Sequence, residues 1–284
     1  MLAGAEAVDT RVRESETTMT VIPAVVPPLP RESNWDRHLP LNAALHWLIA
    51  GWRDFAVRPA SSLTYGALVF LVSVGVVTGL FALGWDYVLF PALAGFMVVG
   101  PAIATGLYEK SRRIAAGEPA GLAHMILVKP KSGEQLLFTG VLLCGLMLLW
   151  MRAAIIIYAL FFGMRPFPGL NHIAPMLFET PVGWAMLVVG GAVGGLFAAF
   201  SFAISAFSIP MLLDERTDAL TAMGTSMAFV WHNLPVMLVW GAIVLTLFLL
   251  GLATGMLGLI VVFPVVGHGA WHAYVAVCKG QNAR

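Results

Sequence analysis

Two histidines near the end of the chain have the spacing with the clearest potential for metal chemistry. His268 and His272 lie in the apolar run FPVVGHGAWHAYVAV, residues 263–277. In an α-helix, residues four apart lie on one face, and two imidazoles there can bind a metal ion if a third ligand completes the site. They cannot both be axial ligands of one haem, because axial ligands approach from opposite sides of the ring. A metal- or haem-binding electron-transfer subunit is therefore one candidate function.

A single arginine interrupts another long apolar run. Arg152 lies within LLFTGVLLCGLMLLWMRAAIIIYALFF, which begins at Leu136. An arginine at the centre of a bilayer costs about 2.5–3.5 kcal/mol on insertion scales. Either the side chain reaches the headgroups because the span ends near Trp150, or it faces the bundle interior as a substrate or partner-charge site. In the second case Glu179 and Asp86 are the acids on the same predicted side of the membrane.

Other side-chain patterns typical of enzymes are missing from the sequence. It contains no P-loop, no GxSxG, no HExxH and no intramembrane pair of acidic residues. Cys144 and Cys278 lack the spacing of a zinc site. The formal net charge of +1 excludes the strongly basic surface of a nucleic-acid-binding protein. We therefore predict a protein that is not an enzyme, binds no nucleic acid and needs no cofactor.

The composition places most of the chain in a lipid bilayer. Of 284 residues, 59% are apolar and 11% are charged, against about 25% charged residues in a soluble domain; mean hydropathy is +0.86. Six apolar segments approach the length of about 20 residues that a hydrocarbon core requires. They lie at about 61–83, 87–108, 135–160, 182–208, 234–251 and 254–276. The predicted fold is all-α, with six transmembrane helices in hairpin repeats preceded by amphipathic helices on the cytoplasmic side.

The distribution of lysine and arginine predicts the orientation of these helices. Of the 16 basic residues, Arg152 and Arg165 fall on one predicted side of the membrane and all the others on the opposite side. Basic loops are retained in the cytoplasm. We therefore predict a multi-pass protein of the bacterial inner membrane with both termini in the cytoplasm.

An internal repeat relates the first and last pairs of segments. The segment that begins at Ala44 resembles the one that begins at Ala219, and VVGPAIATGLYEK resembles VVFPVVGHGAWHA. Repeats in the same orientation also occur in transporters. The predicted units are about 40–113 and 215–277, with a degenerate middle unit at about 118–214.

The repeat also predicts partners for the histidines. It aligns Glu109 with His272, so a hydrogen-bonded pair between them would hold two returning helices together. For the metal alternative, a third ligand would come from the histidines of the predicted cytoplasmic helices, which are His46, His124 and His232. Imidazole also suits headgroup depth, so placement at the membrane boundary is the alternative that requires no metal.

Two further features bear on packing and partners. Residues 1–34 end in a proline-rich run, which predicts a disordered cytoplasmic tail, or a docking strap, ahead of a membrane domain at 35–284. In the fourth segment small residues recur every four positions, at Gly191, Gly195, Ala199 and Ala203. Such a face lets helices approach closely, either within the bundle or at an interface with another chain.

Several motifs together resemble one family. GWRDF, SLTYG, VVGPAIATGLYEKSRR, FAISAFSIPMLLDE and GLIVVFPVVGHGAWHAY are spread over residues 40–276. They are similar to bacterial six-span integral membrane proteins of unknown function, some of which carry the label cytochrome c oxidase subunit I. The resemblance implies the six-span fold and assigns no activity to any residue. The haem–copper catalytic subunit that this label names is expected to have twelve spans and two adjacent histidines. This chain has six predicted spans and no adjacent histidines.

These observations predict a non-enzymatic accessory, assembly or scaffolding protein of a larger membrane complex, with respiratory complexes among the candidates. The predicted partners are the lipid bilayer and other membrane protein subunits or further copies of the chain. One alternative is a transporter or channel-like protein with a site near Arg152 and Glu179. The other is an electron-transfer subunit that uses His268 and His272.

Overall fold

The structure is a computed structural model that describes residues 35–163 and 169–280. The chain divides into two units, Met1–Asn34 and Trp35–Arg284. The first unit, which holds the predicted proline-rich tail, lies outside the described residues.

The regular elements in the described ranges are helical, which confirms the predicted all-α class. In chain order the α-helices are α1 (Ala43–Ala56), α2 (Pro59–Ala82), α3 (Leu89–Ile103), α4 (Thr105–Ala115), α5 (Leu122–Ile126), α6 (Gly133–Phe162), α7 (Leu170–Phe178), α8 (Pro181–Ser205), α9 (Ser208–Asp214), α10 (Ala219–His232), α11 (Leu234–Ala253) and α12 (Leu259–Cys278). A short 3-10 turn, Asp86–Val88, precedes α3.

Within the described parts of the chain, six stretches of helix are long and apolar enough to cross a bilayer, as the sequence predicts. They are Pro59–Ala82, Asp86–Ala115, Gly133–Phe162, Pro181–Asp214, Leu234–Ala253 and Leu259–Cys278. The second stretch contains α3 and α4, with a break at Ala104, shortly after Pro101. A proline inside a helix removes one backbone hydrogen bond and crowds the preceding turn, so a break near this point is expected.

The order of helices is similar in three successive parts of the chain. In the first and third parts, a helix of 14 residues, α1 or α10, leads into an outgoing span and then a returning span. In the middle part the leading helix α5 has 5 residues, and α7 lies between the outgoing α6 and the returning α8. The returning helices are therefore α3 with α4, α8 with α9, and α12.

Helix α12 is the most enclosed of the spans. Within its most apolar stretch, 61% of the residues are buried, against 11–28% for the other spans. Helices α1, α2, α4 and α11 pack against it. Glycine permits the contact with α1, because a Cβ on Gly51 would lie 2.5 Å from the Gly269 nitrogen and the Val265 oxygen.

The outward surfaces of the remaining spans are apolar. Val72 on α2, Leu160 on α6 and Leu196 on α8 are 67–77% exposed. Apolar surface of this extent is incompatible with water around a monomer. Hydrocarbon is therefore the solvent that these helices require.

Several cationic side chains lie at one end of the bundle, named here the basic end. Lys131, just before α6, and Lys279, just after α12, both pair with Asp214 at the end of α9. Arg37 donates hydrogen bonds to the last two carbonyl oxygens of α12. The start of α6 and the ends of α9 and α12 are thus held together on the same side.

Candidate functional site

Four polar side chains meet inside the protein between α2, α4 and α12. Ser62, Lys110 and His268 have no exposed surface, and Ser111 is 1% exposed. The Lys110 ammonium lies 2.7 Å from Ser62 Oγ, which lies 3.0 Å from His268 Nε2. The other ring nitrogen of His268, Nδ1, lies 2.8 Å from Ser111 Oγ. We refer to these four residues as the polar cluster.

Local sequence places Ser62 where it can reach the other two helices. Pro59 begins α2, and its fixed φ suits a first helical turn, so Ser62 lies in that turn. One turn later, a Cβ on Gly66 would clash with the carbonyl oxygen of Ile260 on α12. Glycine at this point therefore allows α2 and α12 to approach closely enough for the hydrogen bond between Ser62 and His268.

Lys110 is a buried cation with uncharged groups as its hydrogen-bond partners. Besides Ser62, its ammonium lies 3.4 Å from the carbonyl oxygen of Arg58. A carboxylate on α1, that of Asp54, acts on Lys110 electrostatically. Burying a charge is costly unless it is hydrogen-bonded and compensated, so the folded bundle depends on these contacts remaining intact.

A second polar pair lies next to the cluster. His272 Nε2 lies 2.9 Å from Asp54 Oδ2 and so connects α12 with α1. The side chain of His272 is 17% exposed and that of Asp54 is 10% exposed. Since His272 follows His268 by four residues, the two rings share a face of α12. The pair therefore lies between the sealed cluster and the partly exposed edge of the bundle.

The structure corrects the predicted pairing of Glu109 with His272. Glu109 is 3% exposed, and its oxygens accept hydrogen bonds of 2.7–2.9 Å from Arg112 and Arg113 on the same helix. A carboxylate readily pairs with guanidinium groups three and four residues away. This local pairing occupies Glu109 and leaves His272 to the acid of another helix.

The histidine pair has no third metal ligand within the part of the chain that the structure describes. His268 uses both ring nitrogens in contacts with serines, and His272 is bonded to Asp54. No group of three or more His, Cys, Asp or Glu side chains among residues 35–163 and 169–280 is arranged to hold a metal ion. His46 and His232 are exposed. This geometry gives the metal alternative no support.

Arg152 lies on the exposed side of α6, away from the polar cluster. Trp150, two residues earlier, donates a hydrogen bond of 3.2 Å to the carbonyl oxygen of Pro91 in the first turn of α3. Arg152 is therefore near the end of the bundle opposite the basic end. Glu179 is also exposed, and the ion pairs found among the described residues do not join it to Arg152. This position favours headgroup contact over a transport site at mid-bilayer.

The small-residue face of α8 points mostly out of the bundle. Gly191 and Gly195 have no atom within 4 Å of the place where a Cβ would be, and Ala199 is exposed. Ala203, nearer the basic end, packs against the core. The neighbouring Gly194 makes the inward contact, since a Cβ there would lie 2.8 Å from a tryptophan ring of α6.

Sequence analysis missed most of the residues that form the cluster. The predicted second span ends at residue 108, so Lys110 is grouped with the basic residues of the following loop. Neither Ser62 nor Ser111 is singled out. One usable signal is the spacing along α4: Lys110 and Ser111 follow the apolar Leu107 by three and four positions, the interval of one helix face. Leu107 is fully buried, so its face of the helix is the inner one.

The fold and the cluster define the class of protein: an all-α, multi-span integral membrane protein with polar residues buried between its helices. Residues 89–214, from α3 to the end of α9, match the family described as "Predicted integral membrane protein (DUF2189)". This match confirms the resemblance to an integral membrane family of unknown function, and its description names no oxidase. No curated protein and no solved structure matches the chain.

Proposed function

We propose that this protein is a non-enzymatic accessory, assembly or scaffolding component of a larger membrane complex. The observation that carries the proposal is the closure of the polar cluster, since Ser62, Lys110 and His268 have no exposed surface. Serine next to lysine and histidine is a combination that hydrolases use for nucleophilic attack. A substrate cannot reach it in this bundle, and its hydrogen bonds serve to join α2, α4 and α12.

The exposed face of α8 supports the association with other subunits. Lipid provides no hydrophobic driving force between helices, so close backbone approach is a main source of attraction. Gly191 and Gly195 leave one stripe along the outer side of α8 free of side-chain bulk, beside exposed apolar side chains such as Leu196. A helix of another membrane subunit fits this surface.

The proposal includes a location and an orientation. We infer that the protein lies in a bacterial inner membrane with both termini in the cytoplasm. The basic end supports this orientation because cytoplasmic loops carry an excess of lysine and arginine. Lys131 and Lys279 both lie at that end, where Asp214 holds them.

Purification of the full-length chain from native membranes in a mild detergent tests the proposed role. We expect the chain to migrate with other membrane subunits, which mass spectrometry then identifies, with respiratory complexes checked first. Migration as a monomer, or in an assembly made of this chain alone, would contradict the accessory role.

A matched pair of variants tests the surface. Gly191→Leu combined with Gly195→Leu should release the chain from its complex, because leucine fills the approach to α8. Gly75→Leu combined with Gly79→Leu is the control, since these glycines on α2 have the same spacing and also lack neighbours within 4 Å. Equal retention of the two variants would exclude this face of α8 as the contact.

A further inference from the structure

The hydrogen bonds of the polar cluster have a fixed direction. An ammonium group only donates, so Lys110 donates to Ser62 Oγ. The Ser62 hydroxyl has one hydrogen, and His268 Nε2 is the acceptor for it among the contacts of the described residues. Nε2 is then unprotonated, and the neutral ring carries its hydrogen on Nδ1, which donates to Ser111 Oγ. The donors therefore run from Lys110 through Ser62 and His268 to Ser111.

This chain of donors can transfer a proton between two basic groups. Lys110 Nζ gives a proton to Ser62 Oγ while the Ser62 hydroxyl gives its own proton to His268 Nε2. Lys110 becomes a neutral amine, Ser62 is unchanged and His268 becomes an imidazolium, so the charge moves from α4 to α12 with no net gain or loss. The separations of 2.7 and 3.0 Å are those of ordinary hydrogen bonds, so no helix has to move.

Asp54 and His272 form a hydrogen-bonded pair beside the cluster. Asp54 of α1 acts electrostatically on both Lys110 and His268. Its hydrogen-bonded partner His272 is one turn from His268, on the side of the basic end, and is 17% exposed. A proton that leaves His268 in this direction meets a carboxylate and then a partly exposed imidazole.

Other charged and titratable groups lie on the elements packed around the cluster, among them the exposed Arg53 of α1 and the buried Tyr108 of α4. Glu109 of α4 is paired with Arg112 and Arg113. Tyr65 of α2 donates its hydroxyl to a backbone carbonyl, and Arg58, just before α2, is exposed. Helix α11 contains no Asp, Glu, Lys, Arg or His. Among the described residues, this leaves Asp54 and His272 as the groups that could carry a proton between the cluster and the surface, with Asp54 acting on the cluster electrostatically.

We propose that Lys110, Ser62 and His268 form an intramembrane proton-binding site that exchanges its proton with water at the basic end through Asp54 and His272. This goes beyond the accessory role, which requires only that the cluster hold helices together. Ionisable side chains inside spans commonly mark proton pathways. Here Lys110 and His268 are joined through the Ser62 hydroxyl. Because the site has no exposed surface and excludes larger molecules, a shared proton is the simplest ligand for it.

Nitrogen NMR of the isotope-labelled, full-length protein in lipid nanodiscs tests the proposal. Groups that share a proton titrate with midpoints that belong to the pair. We therefore expect the His268 and Lys110 resonances of the wild-type protein to change at a common midpoint. Below that midpoint, where Lys110 is an ammonium and donates to Ser62, neutral His268 should carry its hydrogen on Nδ1. In Ser62→Ala the link is broken, and the two midpoints should separate by about one pH unit or more.

Two further variants complete the test. Ser73→Ala is the matched control, because Ser73 also lies on α2 and its hydroxyl donates to the Val69 carbonyl oxygen, outside the cluster, so this variant should titrate like the wild type. Asp54→Asn removes the carboxylate but none of the hydrogen bonds within the cluster, and it should slow exchange of the shared proton with water several-fold. Three results would each overturn the proposal: independent midpoints in the wild type, the opposite tautomer of His268 below the midpoint, or a Ser62→Ala titration equal to that of Ser73→Ala. The wild-type titration decides the matter even if a variant fails to fold.

Discussion

Replacing Gly51 by alanine tests the close packing that positions the buried polar residues. The added Cβ would lie 2.5 Å from the Gly269 nitrogen and the Val265 oxygen. Both are backbone atoms of α12 and cannot rotate away, so the helices must separate by about 0.9 Å to reach an ordinary contact of 3.4 Å. Asp54, three residues further along α1, would be carried away from His272, which it now meets at 2.9 Å.

The expected size of the effect follows from two opposing contributions to the free energy of unfolding. Overpacking a tight contact costs about 1–3 kcal/mol, whereas alanine in place of glycine in a helix stabilises by about 0.5–1 kcal/mol. Gly224→Ala on α10 isolates the second contribution, because Gly224 has no neighbour within 4 Å and α1 and α10 both have 14 residues. Gly51→Ala should therefore be less stable than Gly224→Ala by about 1–3 kcal/mol.

Reversible unfolding in mixed detergent micelles, followed by tryptophan fluorescence, measures this difference. The two variants should unfold with the same cooperativity as the wild type and differ in midpoint. If their free energies of unfolding agree to within about 0.5 kcal/mol, the backbones of α1 and α12 are not in close contact and the reasoning about this interface is refuted.

The remaining predictions concern single side chains and use the same unfolding assay. Glu109→Gln removes the carboxylate that Arg112 and Arg113 share, leaving Arg113 its weaker pair with Glu118, and should destabilise by about 1–3 kcal/mol; no change would show that the ion pairs with Glu109 are not formed. His272→Ala leaves the nearly buried carboxylate of Asp54 without its partner and should cost a similar amount, about 1–3 kcal/mol, unless that contact is absent. Arg152→Leu should change the free energy of unfolding by less than about 0.5 kcal/mol, because Arg152 lies on an exposed helix face. The abundance of the protein in the membrane should stay the same. Loss of the protein from the membrane would instead indicate a buried role for Arg152.

The number and positions of the spans could be predicted from the sequence because hydropathy alone determines them. A stretch such as Pro59–Ala82 has no stable alternative to a helix in lipid, since every backbone group must find its partner within the segment. The second span extends further than expected, to Ala115. Its last turns include polar residues, which a hydropathy profile assigns to a loop.

The polar cluster could not be predicted in the same way because it depends on which side of each helix faces inward. Lys110 belongs to a strongly basic run, and counting positive charges places it in water with its neighbours. In the structure these cations differ in exposure. Lys110 has no exposed surface, whereas the side chains of Arg112 and Arg113 are 29% and 23% exposed. Only the packing of α4 against α2 and α12 distinguishes these positions.

Contacts between residues of different helices could not be predicted from the sequence either. The repeat placed Glu109 and His272 at equivalent positions along their helices, but equivalence in a repeat does not make two residues neighbours. The spacing of Gly191 and Gly195 predicts a face of small residues, yet periodicity does not say whether such a face points towards the bundle or towards lipid. In each case the missing information is the rotation of one helix relative to the next.

Lysine labelling tests most directly the central claim that the reactive side chains are sealed inside the bundle. The full-length protein in nanodiscs is treated with a small amine-reactive reagent, and modified sites are identified by mass spectrometry. Lys131, whose side chain is 53% exposed, should be modified readily, while Lys110, with no exposed surface, should react only after unfolding. Modification of Lys110 in the folded protein at a rate comparable to that of Lys131 would contradict the account.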